Sequence, residues 1–128
     1  MNRYAVLLAA LLLTAGCGDG TTVRGKVVFD DGKPLTRGEV RFASGGKVFS
    51  GMIKSDGTFV MEGATPKSGV EPGNYEVFIV GAHETTVGED GYPQTTLLVD
   101  PKFGDPKKSG LAYSVKGKET VEFKVTPP

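Results

Sequence analysis

The chain has 128 residues, the size of one small domain, and balances 15 lysines and arginines against 15 aspartates and glutamates. It therefore has no net field to draw nucleic acid by charge. Cys17 is the single cysteine and His83 the single histidine, which excludes an internal disulfide and leaves too few nitrogen and sulfur ligands for zinc.

Taken in chain order, residues 1–4 carry a positive charge at Arg3, residues 5–13 are an unbroken apolar run, and Thr14-Ala15-Gly16 supplies small residues before Cys17. These are the three parts of a secretory signal in their usual order. A nine-residue run rises about 13 Å as a helix, well short of the roughly 30 Å hydrocarbon core, so a spanning helix is not expected. Leu13-Thr14-Ala15-Gly16-Cys17 resembles the bacterial lipobox, departing from it at Thr14, where an aliphatic residue is usual. The resemblance implies removal of residues 1–16 as a lipoprotein signal peptide and acylation of Cys17 by diacylglyceryl and palmitate-type chains. Two or more such chains, at about 0.8 kcal/mol per buried CH₂, hold a protein firmly on a membrane. Residues 17–21 then form the lipidated cysteine and a short polar tether. The expected location is the cell envelope, on its periplasmic or extracellular face. Plain secretion with Cys17 left as a free thiol is the alternative.

From Val23 onward apolar residues recur at period two between Gly, Pro, Asp and Asn, which is strand punctuation. Val23, Gly25, Val27 and Phe29 share one face of a first strand and Arg24 and Lys26 the other. Val40 and Phe42 mark a second strand, residues 47–53 a third, and residues 58–62 a fourth after the Ser55-Asp56-Gly57 turn. Tyr75, Val77 and Ile79 mark a fifth, Leu111, Tyr113 and Val115 a sixth, and Val121, Phe123 and Val125 a seventh. The pattern predicts an all-β, seven-stranded sandwich over residues 22–128 with almost no helix. Two long connections, 63–73 and 81–110, are the places for binding residues, and the second has room for a short extra strand at 95–99.

Val23-Arg24-Gly25-Lys26-Val27 through Asp31-Gly32-Lys33-Pro34-Leu35 resembles the opening of carboxypeptidase-regulatory-like domains, a branch of the transthyretin-like or prealbumin-like sandwiches. Lys54-Ser55-Asp56-Gly57-Thr58-Phe59, Pro72-Gly73-Asn74-Tyr75-Glu76-Val77 and the late loop with Pro101-Lys102-Phe103-Gly104-Asp105-Pro106 are similar to further pieces of that family. The resemblance implies a Greek-key sandwich and an accessory, adhesive or binding role in a small bacterial lipoprotein. It implies no reaction. The hydrolases and intradiol dioxygenases of related folds need several histidines, and the chain has neither Gly-x-Ser-x-Gly nor a phosphate loop. Lys26 would suit a strand-to-strand isopeptide, but no Asn or Asp follows Asp105 to accept it. Asp30-Asp31-Gly32 and Glu89-Asp90-Gly91 offer carboxylates of the kind calcium takes, although turns attract aspartate without any metal. No cofactor, metal or enzymatic activity is expected.

Two surfaces remain as candidate binding sites. Val28, Phe78 and Val80 fall out of phase with the core positions; adjacent to one another they would make a docking patch for a protein, and beneath a loop they would be covered. Tyr92, Lys102, Phe103, Lys107 and Lys108 combine aromatic and basic groups that could meet a glycan or peptide. The sequence thus reads as a non-catalytic, membrane-anchored envelope binding or accessory module whose partners are the membrane, through Cys17, and an envelope protein or glycan. A self-associating structural component and a carbohydrate-binding module are the alternatives, and nucleic acid is not an expected partner.

Overall fold

The computed structural model describes residues 21–62, 69–117 and 119–128. The signal segment, Cys17 and the first part of the tether lie outside the described residues. Among them nine strands are found: β1 (Val23–Phe29), β2 (Glu39–Ser44), β3 (Lys47–Met52), β4 (Thr58–Met61), β5 (Gly73–Val80), β6 (His83–Val87), β7 (Pro93–Leu97), β8 (Leu111–Val115) and β9 (Glu119–Val125). The one helical element among the described residues is a 3-10 turn at Pro101–Gly104. Seven strands form two sheets ordered β4-β1-β9 and β3-β2-β5-β8, while β6 and β7 make a separate two-stranded ribbon. The all-β sandwich expected from period-two patterning is therefore observed.

The inner faces follow directly from the alternation. Val23 and Val27 of β1, Val40 and Phe42 of β2, Tyr75, Val77 and Ile79 of β5, and Phe123 and Val125 of β9 enter one buried cluster shared by both sheets. Phe42 sits at its centre, fully buried, with ring centroids 5.8 Å from Tyr75, 5.9 Å from Tyr113 and 6.2 Å from Phe123. Such tilted and edge-on pairs suit the ring quadrupole and stabilise beyond area burial by about 0.5–1.5 kcal/mol each. The Tyr75 ring belongs to this core, and its hydroxyl, part-buried at the core's edge, donates to the Glu71 carbonyl at 2.6 Å. Burial pushes its phenol above the ordinary tyrosine range.

Turn chemistry closes the strands. Gly57, at φ 86°, completes the β3–β4 connection, where Asp56 Oδ1 accepts from the Thr58 amide at 3.0 Å and hydroxyl at 2.6 Å. Those bonds hold the Asp56 carboxyl below the usual carboxylate range. Gly25 serves a different purpose: its missing side chain lets the Phe59 ring and the Val121 carbonyl approach β1 closely.

Beyond the seven strands, the 95–99 region yields β7 at Pro93–Leu97, somewhat earlier in the chain. Its partner β6 was not anticipated, because Glu84, Thr85 and Thr86 offer no apolar alternation to read.

Candidate interaction surface

The ribbon of β6 and β7 leaves the sandwich as an arm. Every strand residue from His83 to Val87 and from Pro93 to Leu97 is exposed. Its base is pinned by the Leu98 amide donating to the Ala82 carbonyl at 2.9 Å, and its tip by Gly88 N to Tyr92 O and Gly91 N to Gly88 O, both 2.9 Å. Asp90 Oδ1 accepts from Tyr92 N at 3.0 Å within the same tip. Pairing of His83 with Leu97, Thr85 with Thr95 and Val87 with Pro93 sets these six on one face. Glu84, Thr86, Gln94 and Thr96 make the other, wholly polar face. One side of the arm is thus partly apolar, with Val87 74% and Leu97 45% exposed and Tyr92, 70% exposed, at the tip. Isolated two-stranded ribbons are marginal in water, so a ribbon that buries nothing has little to hold it beyond its own ladder and turn.

At the arm's base lies a groove of roughly 440 Å³ lined by Arg37, Glu39, Met52, Val80, His83 and Thr85 among others. That volume falls within the range of small-ligand clefts, about 300–1,000 Å³. Met52, 64% exposed, and Val80, half-buried, supply the apolar part of a lining that also holds charged and polar groups. Arg37 donates weakly to the His83 carbonyl at 3.4 Å, tying the arm to the start of β2. Glu39 is paired with Arg41 at 2.6 Å.

The arm and groove occupy one particular end of the sandwich. Thr21 bridges to Val70 just before β1 and β5 begin, marking one pole. Strand β1 runs seven residues away from it, and at the far pole the Asp100 amide donates to the Thr126 carbonyl at 2.9 Å, beyond the end of β9. Val80, Gly81 and the arm base belong to that far pole, about 20 Å from the start of β1 at roughly 3.3 Å per residue.

The sequence-predicted binding residues divide among several places. Val28 is corrected outright: it is 5% exposed, bridged to Pro34 by the chain that folds back after β1, and it lies in the other sheet from Phe78 and Val80. The three-residue patch therefore does not exist. Phe78 and Val80 do share the outer face of the four-stranded sheet, across from Arg41 and Glu39, and both are half-buried. Phe103 is also corrected: it is 4% exposed and belongs to the core, because the 3-10 turn packs it inward beside β5. Lys102 stacks over its ring at 5.2 Å from the centroid. Lys107 pairs with Glu76 at 3.1 Å, Lys108 is exposed, and Tyr92 is exposed at the arm tip. The arm's partly apolar face and the groove are what sequence reasoning missed, and the Asp90-Gly91 turn was the signal that could have located the hairpin.

Of the carboxylates considered for calcium, Asp31 Oδ1 accepts from Lys33 N at 3.0 Å and Asp90 caps the arm tip. Among the described residues no cluster of three or more His, Cys, Asp or Glu could hold a metal ion, and no helix is long and apolar enough to cross a membrane.

No family model and no curated protein matches the chain. Among solved structures it is similar to a DUF3823 family protein from Bacteroides ovatus, at TM-score 0.49 and 17% identity, covering 84% of this chain and 44% of that one. A DUF3823 family protein from Parabacteroides merdae gives 0.48 and 16%, covering 84% and 46%. The major pilin subunit of Bacillus cereus gives 0.48 and 13%, covering 84% and 30%. The chain spans less than half the length of each of these proteins.

Proposed function

We propose that this chain is a lipid-tethered, non-catalytic accessory module of the bacterial cell envelope, with a carboxypeptidase-regulatory-like sandwich that presents its arm and groove to a partner. Residues 1–17 supply the tethering half of the reading: a charged start, a short apolar run, small residues and then the single cysteine. The single observation that supports the presenting half is polarity. The chain enters β1 at one pole, and the arm with its exposed Val87, Tyr92 and Leu97 stands at the other. A domain held by its amino end would carry that arm on the side turned away from the bilayer. Exposed apolar groups on an arm beside a cleft fit a contact surface.

Mass spectrometry of the amino terminus of protein isolated from host membranes tests the reading. Residues 1–16 should be missing and Cys17 should carry acyl mass, and Cys17→Ala should move the protein out of the membrane fraction. An intact residue 1, or a Cys17→Ala protein still fully membrane-bound, would overturn it.

A further inference from the structure

A second cleft, of roughly 390 Å³, adjoins the groove at the arm's base, and Met52 borders both. Its lining includes Arg24, Ser50, Lys54, Val60 and Glu62. Strand register explains why the two clefts meet. On the outer surface Val80 lies across from Glu39, and Glu39 across from Met52. Strands β3 and β4 form a hairpin in which the Lys54 amide donates to the Thr58 carbonyl at 2.8 Å and Ser50 bridges to Glu62, which sets Met52 opposite Val60. Val60 in turn faces Arg24. One row of side chains thus crosses from β5 through β2, β3 and β4 to β1, and four inter-strand spacings of about 4.8 Å carry it roughly 19 Å.

The row is apolar in its middle and cationic toward its ends. Met52 is 64% exposed, and Val60 and Val80 flank it half-buried. Arg24 and Lys54, both exposed, stand in the second cleft, and Arg37 stands in the groove at the other end. None of these three cations belongs to an ion pair among the described residues. Arg37 keeps only the long 3.4 Å bond to the His83 carbonyl, and the Lys54 ammonium only a Coulombic pull on Asp56. Of the carboxylates in the lining, Glu39 is already held by Arg41, which leaves Glu62 alone against three positive groups.

We propose that the two clefts together take an extended acidic peptide segment of a partner protein, one with apolar side chains between carboxylates. This rests on the reading of arm and groove as a contact surface and names the chemistry of what meets it. The layout selects the occupant. A chain extended at about 3.3 Å per residue lays roughly six residues along the row, so carboxylates at its two ends meet Arg24, Lys54 and Arg37 while apolar side chains between them cover Met52 and Val60. Methionine suits the central place because its unbranched thioether adapts to apolar groups of differing shape. An acidic glycan would match the charge but not the middle, because among the described residues no aromatic ring lines either cleft to stack on a sugar face. The Glu62 amide already donates to the Ser50 carbonyl at 3.1 Å, so the seam between β3 and β4 offers a visitor side chains rather than an open strand edge.

Fluorescence anisotropy with the full chain in a non-ionic detergent tests this, with far-UV spectra and urea midpoints showing that each variant is folded. The probe is a labelled hexapeptide carrying two leucines between pairs of glutamates. It should bind, and its affinity should fall about tenfold or more between low and high salt. Arg24→Gln with Lys54→Gln should weaken it about tenfold or more, and Arg37→Gln about threefold or more. Met52→Ser should weaken the leucine peptide about fivefold and leave a hexaglutamate nearly unchanged, whereas Lys107→Gln, outside both clefts, should alter neither. Absence of binding up to about 1 mM protein overturns the proposal. So does equal binding of a lysine-flanked counterpart, an affinity untouched by the cation variants or by Met52→Ser, or an oligogalacturonate held as tightly through the same cations, which would make this a glycan site. A photoreactive amino acid in place of Val87, irradiated in the host, separates this proposal from the broader reading: cross-links to another protein without peptide binding overturn the acidic peptide alone, and absence of both overturns the contact surface with it.

Discussion

Replacing Gly25 by alanine sets two effects of opposite sign against each other. Gly25 is in the middle of β1 and is absent from the glycines with positive φ, so an added methyl meets no backbone penalty. In open space the loss of unfolded-state freedom would then stabilise the domain by about 0.4–1 kcal/mol. The space is not open. An added Cβ would lie 2.4 Å from Phe59 Cζ and 2.6 Å from the Val121 carbonyl oxygen. Phe59 is 1% exposed and stacked on Phe123 with centroids 6.1 Å apart, so its ring has nowhere to go, and the carbonyl is fixed in the parallel β1–β9 pairing. Overpacking of this kind costs about 1–3 kcal/mol, which leaves a net loss of about 1–2 kcal/mol. For a domain of this size that is a fall in Tm of roughly 5–15 °C. Gly117→Ala is the control, since nothing lies within 4 Å of its would-be Cβ, and it should be neutral or stabilising. Urea unfolding of the two variants beside the parent reads the difference. A Gly25→Ala midpoint at or above the parent's would refute the steric reasoning, and a Phe59→Leu background should reduce the penalty without abolishing it, because the carbonyl contact remains.

Tyr75→Phe removes the hydrogen bond to the Glu71 carbonyl and should cost about 0.5–1.5 kcal/mol at neutral pH. Folding favours the neutral phenol, whose folded pKa is raised above the ordinary 10.0, so its contribution is whole below that value and is lost as pH rises through the folded one. Urea titrations between about pH 9 and 11.5 should therefore fall more steeply for the parent than for the variant, and parallel curves would contradict this. Ser109→Ala strands the Val77 carbonyl and the Leu111 amide, which the buried hydroxyl meets at 2.5 and 3.1 Å, and should cost about 1–3 kcal/mol by the same assay. Excising residues 83–97 and closing Ala82 to Leu98 with an Asn-Gly turn should leave Tm within a few degrees, since every strand residue of the arm is exposed and the base bond survives. Loss of cooperative unfolding would show that the arm is part of the core after all.

How much the sequence disclosed depended on whether each segment faces one environment or two. Strands β1, β2, β5, β8 and β9 bury one face and wet the other, so Val23-Gly25-Val27 or Tyr75-Val77-Ile79 could be read with their inward sides correct. The arm defeats that reading, because a ribbon with both faces in water need not alternate, and Glu84-Thr85-Thr86 looks like loop. Phe103 misled in the opposite sense: among lysines it resembles a surface aromatic, but the turn capped by Asp100 drives it into the core. Val28 was hidden by a contact that leaves no periodic trace, the return of Pro34 over β1. Of the candidate surface, Tyr92, Val80, Phe78 and the lysines were legible as residues, while their grouping depended on which sheet each strand joined.

The parallel pairing of β1 with β9 has a consequence for how the molecule comes to be built. Val23 finds its neighbour at Glu119 and Phe29 at Val125, so the first strand formed waits for the last before its sheet has three members. Loop closure over so long a separation is slow, and few local contacts can compensate beforehand. A nascent polypeptide that has not yet delivered β9 leaves one flank of β1 bare, with Val27 and Phe59 short of the Phe123 ring that completes their packing. Such a chain would stay loose, and hence threadable through a narrow channel, until its final strand arrives.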